Sequence, residues 1–137
     1  MDDTTLDVLT EEECRRLLHE HATTVGRVAV SVAATPEILP VNFALVDGAI
    51  VFRTGVGTKL HAATRNAVLA FEIDGSDGSS GWSVLVVGQS SEVTERGEIA
   101  TALGAIPNGW VPGEHEHVIK ITASRVSGRR IHRRANP

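Results

Sequence analysis

The segment ILPVNFALVDGAIVFRT, running from Ile38 to Thr54, decides the fold. Its two apolar runs, Ile38–Val46 and Ala49–Thr54, flank Asp47-Gly48, a dipeptide that accepts the positive φ angles needed at both centres of a type I′ turn. The pattern predicts a β-hairpin. Pro40, in its first strand, has no amide to donate, so it either marks an edge strand or interrupts the sheet. Both readings stay open, and in the second the backbone of Val41 and Asn42 faces a planar ligand.

Outward from the hairpin the period stays at 2. Arg27–Ala33 places Val28, Val30 and Val32 on one face, and Ala67–Asp74 alternates in the same way. Trp82–Thr94 is apolar on both faces at its centre, with Val84 and Val86 against Leu85 and Val87. Such a strand is covered by the core on one side and by a second body on the other, here expected to be another subunit. Glu116–Thr122 and Arg125–Ile131 read as two closing strands, and Gly75–Gly81 and Ile106–Gly113 as loops, the latter around Trp110.

Three short helices interrupt this β pattern. Thr10 and Glu13 form a capping box that opens a surface helix ending near Ala22, whose stripe is Cys14, Leu17 and Leu18 with His21. Thr58 caps a second helix through Arg65, stopped at Asn66, and Glu95–Leu103 makes the third. Strands with helices inserted irregularly among them predict a mainly β antiparallel barrel with short helices, not a doubly wound sheet. One domain is expected over residues 9–131, with a flexible N-terminus at 1–8 and a flexible basic tail at 132–137.

Composition narrows the function. The 137 residues carry 42% hydrophobic and 22% charged side chains and a net charge of -4, so one folded domain is expected, with no electrostatic reason for nucleic acid. Acid crowds the start and arginine the end. Cys14 is the single cysteine, which rules out an internal disulfide and a thiolate metal cluster and suits a reducing, cytoplasmic setting. No stretch has the length of a membrane span, so no membrane partner is expected.

Chemistry concentrates in Phe52-Arg53-Thr54-Gly55-Val56-Gly57-Thr58-Lys59. Arg53 and Thr54 end a strand, Gly55 and Gly57 shape a turn, and Thr58 and Lys59 open a helix. These are phosphate-binding parts: the glycines admit close backbone approach and the cations give charge-assisted donors. The spacing is not that of a nucleotide-triphosphatase loop, and a glycine turn into a capped helix with a solvated lysine would look the same. His61, one turn on, faces phosphate or water. His115-Glu116-His117 sets two imidazoles on one side of a strand, but no further ligand stands at metal spacing, so no metal is expected. A serine-hydrolase elbow is absent from the sequence.

With Val25-Gly26-Arg27-Val28, Pro40-Val41-Asn42-Phe43, Phe52-Arg53-Thr54 with Gly57-Thr58-Lys59, Phe71-Glu72-Ile73-Asp74, Ser80-Gly81-Trp82-Ser83-Val84 with Gly88, and Ser127-Gly128-Arg129-Arg130, the chain resembles the pyridoxamine 5′-phosphate oxidase-like flavin-binding split barrels from about Leu9 to Ile131. The resemblance implies a Greek-key split β-barrel and a homodimer with FMN at the subunit interface. The phosphate would lie by Arg53, Thr54, Gly57, Thr58 and Lys59, and the ring by Pro40, Val41, Asn42 and Phe43. Trp82, Ser83 and Val84 would come from the partner chain.

The implied activity is flavin-dependent hydride or electron transfer to a small organic acceptor. The alternatives are a reductase using the deazaflavin coenzyme, whose acidic tail Arg27, Arg129 and Arg130 could meet, and a flavin-binding or sensing protein without turnover. The arginine- and tyrosine-rich set that would hold a second phosphate is missing, and the chain has no tyrosine, so oxidation of pyridoxamine phosphate itself is not expected.

Overall fold

The computed structural model describes residues 4–22, 25–55, 59–106 and 117–133. The elements in chain order are β1 (Thr4–Val8), α1 (Glu11–Glu20), β2 (Val25–Val32), β3 (Thr35–Val46), β4 (Ala49–Thr54), α2 (Lys59–Thr64), β5 (Val68–Ser76), β6 (Ser80–Val93), α3 (Arg96–Ala105) and β7 (His117–Arg133). All strand pairings are antiparallel, in the order β1-β7-β4-β3-β2-β5-β6, and β6 also pairs with β7. That last ladder closes β2 to β7 into a barrel, with β1 added on the edge of β7.

Local sequence explains most elements. Asp47 and Gly48 both have positive φ, 50° and 80°, as the hairpin turn requires. The Thr10 hydroxyl accepts from the Glu13 amide at 3.1 Å while Glu13 Oε1 accepts from the Thr10 amide at 3.3 Å, completing the capping box of α1. Asn66, at φ 54°, takes the left-handed conformation that stops α2.

Inward-pointing residues fill the barrel. Phe43, Phe52 and Phe71 are buried among Val28, Val84, Val86, Ile119 and Ile121, and Phe43 meets Phe71 edge-on with centroids 4.7 Å apart. A second, smaller core lies on the outer face, where Ala44, Val51 and Val118 pack beneath Ala102 and Ile106 of the α3 region.

Three expectations need correction. Thr4–Val8, expected to be flexible, forms β1 against Arg129–Arg133 of β7, and His132 and Arg133, assigned to the flexible tail, are its partners. All five β1 residues are exposed, so the backbone ladder and an Asp7–His132 pair at 3.3 Å hold the strand, and burial periodicity could not announce it. The two closing strands are one strand, β7, bent where Val87 faces Arg125 and Gly88 faces Ala123. Ser124 is the extra residue of that bulge, and its hydroxyl donates to the Val87 carbonyl at 3.0 Å. The loop expected at Gly75–Gly81 is a tighter hairpin: Gly75 and Ser76 belong to β5 and Ser80 and Gly81 to β6. The Ile106–Gly113 loop lies outside the described residues beyond Ile106, as do His115, Glu116 and residues 134–137.

Candidate functional site

Strand β3 changes partner midway. Thr35–Asn42 pairs with β2, whereas only Phe43–Val46 pairs with β4. Among the described residues no strand lies against the β4-side edge of β3 before Phe43. Arg53 and Thr54, just past the Phe43–Phe52 pair, pair on their other side with Val118 and His117 of β7. The sheet therefore splits, with Pro40–Asn42 as one lip and Arg53–Thr54 as the other. Pro40 keeps its place opposite Arg27 in the β2 ladder and has no described strand on its other side, so both the edge-strand reading and the interruption fit its position.

The lips offer backbone more than side chains. Val41 and Phe43 point into the barrel core and are buried, Asn42 is half-buried, and Pro40 is exposed. Arg53 is half-buried on the outer face, its Nη2 donating to the Ile106 carbonyl at 3.3 Å, which fixes the guanidinium beside the split. Thr54 is buried on the inner face. Lys59 opens α2, while Gly57 and Thr58 lie outside the described residues.

Sequence reading missed a polar group at this barrel end. His117, opposite Thr54, bonds through Nδ1 to Glu92 Oε2 at 2.6 Å, and Arg65 Nη1 lies 3.7 Å from Glu92 Oε1. The three residues sit far apart in the chain, so no spacing signal links them. Ser90, two residues before Glu92, is buried and ties β6 to the start of β5. Its hydroxyl donates to the Ala67 carbonyl and accepts from the Ala67 amide, both at 2.9 Å.

The second set, Trp82, Ser83 and Val84, lies on β6, three strands from β3 through β2 and β5. Through β7 it is only two strands from β4, but Trp82 faces Arg130 while Arg53 faces Val118, and those 12 residues of β7 span about 40 Å of strand at roughly 3.3 Å each, so within one chain Trp82 is remote from the Arg53–Thr54 lip. Val84 is fully buried in the barrel core and has only backbone to offer. Trp82 and Ser83 line a cleft of about 330 Å3 with Asp74, Arg129 and Ile131.

Between the two sets, on the barrel's outer face, Arg27 Nη1 bridges Glu72 Oε1 at 3.2 Å and Asp74 Oδ2 at 3.0 Å. Burial first, and then the hydrogen bond and charge of Asp74, push the Glu72 carboxyl above the ordinary carboxylate range, against the pull of Arg27. Arg27 is thus committed to two carboxylates. The same outer face carries Ile38 and Val68, 73% and 68% exposed, with Leu85 and Val87 half-buried between neighbouring strands.

A family model described as pyridoxamine 5′-phosphate oxidase matches residues 10–130. Uncharacterized protein Rv0080 of Mycobacterium tuberculosis is 35% identical over 132 residues, covering 90% of this chain and 84% of the relative. The FAD binding protein from Mycobacterium smegmatis superposes with a TM-score of 0.76 at 34% identity, over 91% of this chain and 98% of its own. A candidate pyridoxamine 5′-phosphate oxidase from Corynebacterium glutamicum superposes with a TM-score of 0.81 at 30% identity, over 99% of each chain.

Proposed function

Because this chain belongs to the pyridoxamine 5′-phosphate oxidase family, matched from residue 10 to residue 130, we propose that it binds a flavin and serves as a flavin-dependent oxidoreductase toward a small organic acceptor. The observation that carries the reading is the split between β3 and β4. It leaves the Pro40–Asn42 backbone open to a planar ring beside Arg53 and Thr54. A flavin supplies hydride or electron transfer, and the chain's own residues bind and orient it. Arg53 and Lys59, with Thr54, Gly57 and Thr58, hold the phosphate; Pro40, Val41, Asn42 and Phe43 lie along the ring, the buried Val41 and Phe43 through their backbone.

A homodimer completes the site. Trp82 and Ser83, with the backbone of Val84, stand too far from the split of their own chain but lie on an outer face whose exposed Ile38 and Val68 favour cover by a second copy. The small-molecule substrate enters at that junction, in a cytoplasmic protein without membrane or nucleic-acid partners.

FMN is the preferred cofactor. Two similar structures are described as FAD-binding, and the deazaflavin coenzyme also carries phosphate. The commitment of Arg27 to Glu72 and Asp74 removes one of the three cations that would meet the deazaflavin tail, which favours a flavin. Titration of the purified chain with FMN, FAD and the deazaflavin coenzyme, each followed by absorbance and fluorescence, tests this order. Failure of all three to bind at high concentration overturns the reading. Anaerobic mixing of reduced cofactor with acceptors then separates an oxidoreductase, which accelerates reoxidation over the protein-free blank, from a flavin-binding protein without turnover.

A further inference from the structure

Beneath α3 on the outer face of the barrel lies a cleft of about 450 Å3, lined by none of the residues assigned to the flavin. Val46, Val51, Val93 and Ala102 make its apolar floor. Lys120 enters it from β7, where its neighbours across the ladders are Val51 and Ser91. Half-buried on an apolar surface, the Lys120 ammonium has no hydrogen bond or ion pair among the described residues.

Two carboxylates at the exposed rim of the cleft, Asp47 in the β3–β4 turn and Glu98 in the first turn of α3, likewise have no ion pair among the described residues. Glu95 differs, because both its oxygens accept from the Gly97 and Glu98 amides at 2.8 and 2.7 Å and so cap α3. One ammonium and two carboxylates therefore line a single cavity without pairing. The turn, helix and strand that carry them hold them apart over an apolar floor.

A ligand complementary to this arrangement has an apolar body and one charge of each sign. A simple carboxylate would satisfy Lys120 and leave two acids facing it, and a simple amine would meet Lys120 head-on. We propose that the cleft binds a free α-amino acid with an apolar side chain, its carboxylate on Lys120 and its ammonium on Asp47 and Glu98. The side chain would rest on Val51 and Val93, where water is displaced from apolar surface. The site is separate from the flavin cleft, so occupancy does not depend on the cofactor.

Isothermal titration of the full chain with L-leucine, isovalerate and isoamylamine tests the proposal. L-leucine is expected to bind, with isoamylamine about tenfold weaker or worse for want of the carboxylate contact, and isovalerate about tenfold weaker or worse for want of the ammonium contact and one methylene. Lys120→Gln, and separately the pair Asp47→Asn with Glu98→Gln, should each weaken L-leucine by about tenfold or more. Unfolding midpoints and FMN titration of the same variants show whether the fold is kept. Absence of L-leucine binding up to about 10 mM, a concentration where even a very weak site is half-filled, overturns the proposal. So does isovalerate binding as tightly as L-leucine, or L-leucine binding unchanged in both folded variants.

Discussion

The Trp82 indole lies obliquely against the His21 imidazole, ring centroids 4.7 Å apart and planes inclined by 39°. Gly75, the cross-strand partner of Trp82, leaves the space that the indole fills; a Cβ there would come within 2.8 Å of the ring. His21 closes α1, so the contact ties the end of that helix to the β5–β6 hairpin and fixes the one aromatic side chain assigned to the partner's flavin.

His21→Ala is expected to loosen Trp82 without unfolding the barrel. An aromatic contact of this kind is worth about 0.5–1.5 kcal/mol, so the unfolding free energy in urea should fall by about that amount. Because the chain has two tryptophans, the emission of Trp82 is best read in a Trp110→Phe background, where His21→Ala should shift it toward the red. An unmoved spectrum would mean that α1 does not hold the indole.

Phosphate binding makes a sharper demand. A charged hydrogen bond contributes about 1.5–3 kcal/mol, so Lys59→Ala should weaken flavin binding about ten- to a hundredfold. Arg53→Ala should weaken it similarly, and should also release the Ile106 carbonyl that the guanidinium holds. Direct titration decides; unchanged affinity in Lys59→Ala removes that residue from the site.

How far the sequence was legible follows from what each element depends on. Asp47-Gly48, the Thr10 capping box and the alternation in β2 and β5 are local patterns, and they appear in the structure. Val41 and Phe43 alternate with Asn42 and fill the core, whereas the resemblance set all four residues from Pro40 to Phe43 along a ligand. What stayed hidden rests on partners distant in sequence: the wholly exposed β1, the Arg65–Glu92–His117 group, and the clamp of Arg27 by Glu72 and Asp74. The β2–β3 turn was hidden for another reason. Ala33 and Ala34 take φ 50° and 66°, a conformation that alanine avoids and no turn dipeptide advertised.

That turn is improvable. Left-handed alanine costs roughly 1 kcal/mol, part of which glycine returns through its greater freedom in the unfolded chain. Ala34→Gly should therefore stabilise the protein by about 0.5–1 kcal/mol, read as a higher urea midpoint at constant slope. Gly88→Ala should do the opposite, since its Cβ would collide with the Thr122 carbonyl, backbone that cannot swing away. A loss of at least about 2 kcal/mol is expected there.

Acid should weaken the helix caps. Hydrogen bonds from the Gly97 and Glu98 amides hold the Glu95 carboxyl below its ordinary value of 4.5, and the Thr10 amide and hydroxyl do the same for Glu13. A carboxyl whose folded pKa is depressed stabilises the fold fully above 4.5 and loses that contribution as pH falls through the folded value. Stability measured from pH 6 downward should therefore begin to decline near that point, and Glu95→Gln should decline less steeply than the native chain. Parallel slopes would show that these caps carry none of the acid sensitivity.

The proposed sharing of a flavin site between two chains makes a demand that single variants do not test. Lys59→Ala keeps Trp82, and Trp82→Ala keeps Lys59, so each homodimer has two damaged sites. In a two-fold heterodimer one site would combine the intact Lys59 of one chain with the intact Trp82 of the other, and its twin would carry both lesions. Equal mixing with full subunit exchange makes half the dimers mixed, so about a quarter of the native number of tight sites should return. Flavin titration of the two chains unfolded together and refolded, against each refolded alone, measures it. If no tight sites return although mixed dimers are detected by mass, Trp82 and Lys59 do not meet across the interface.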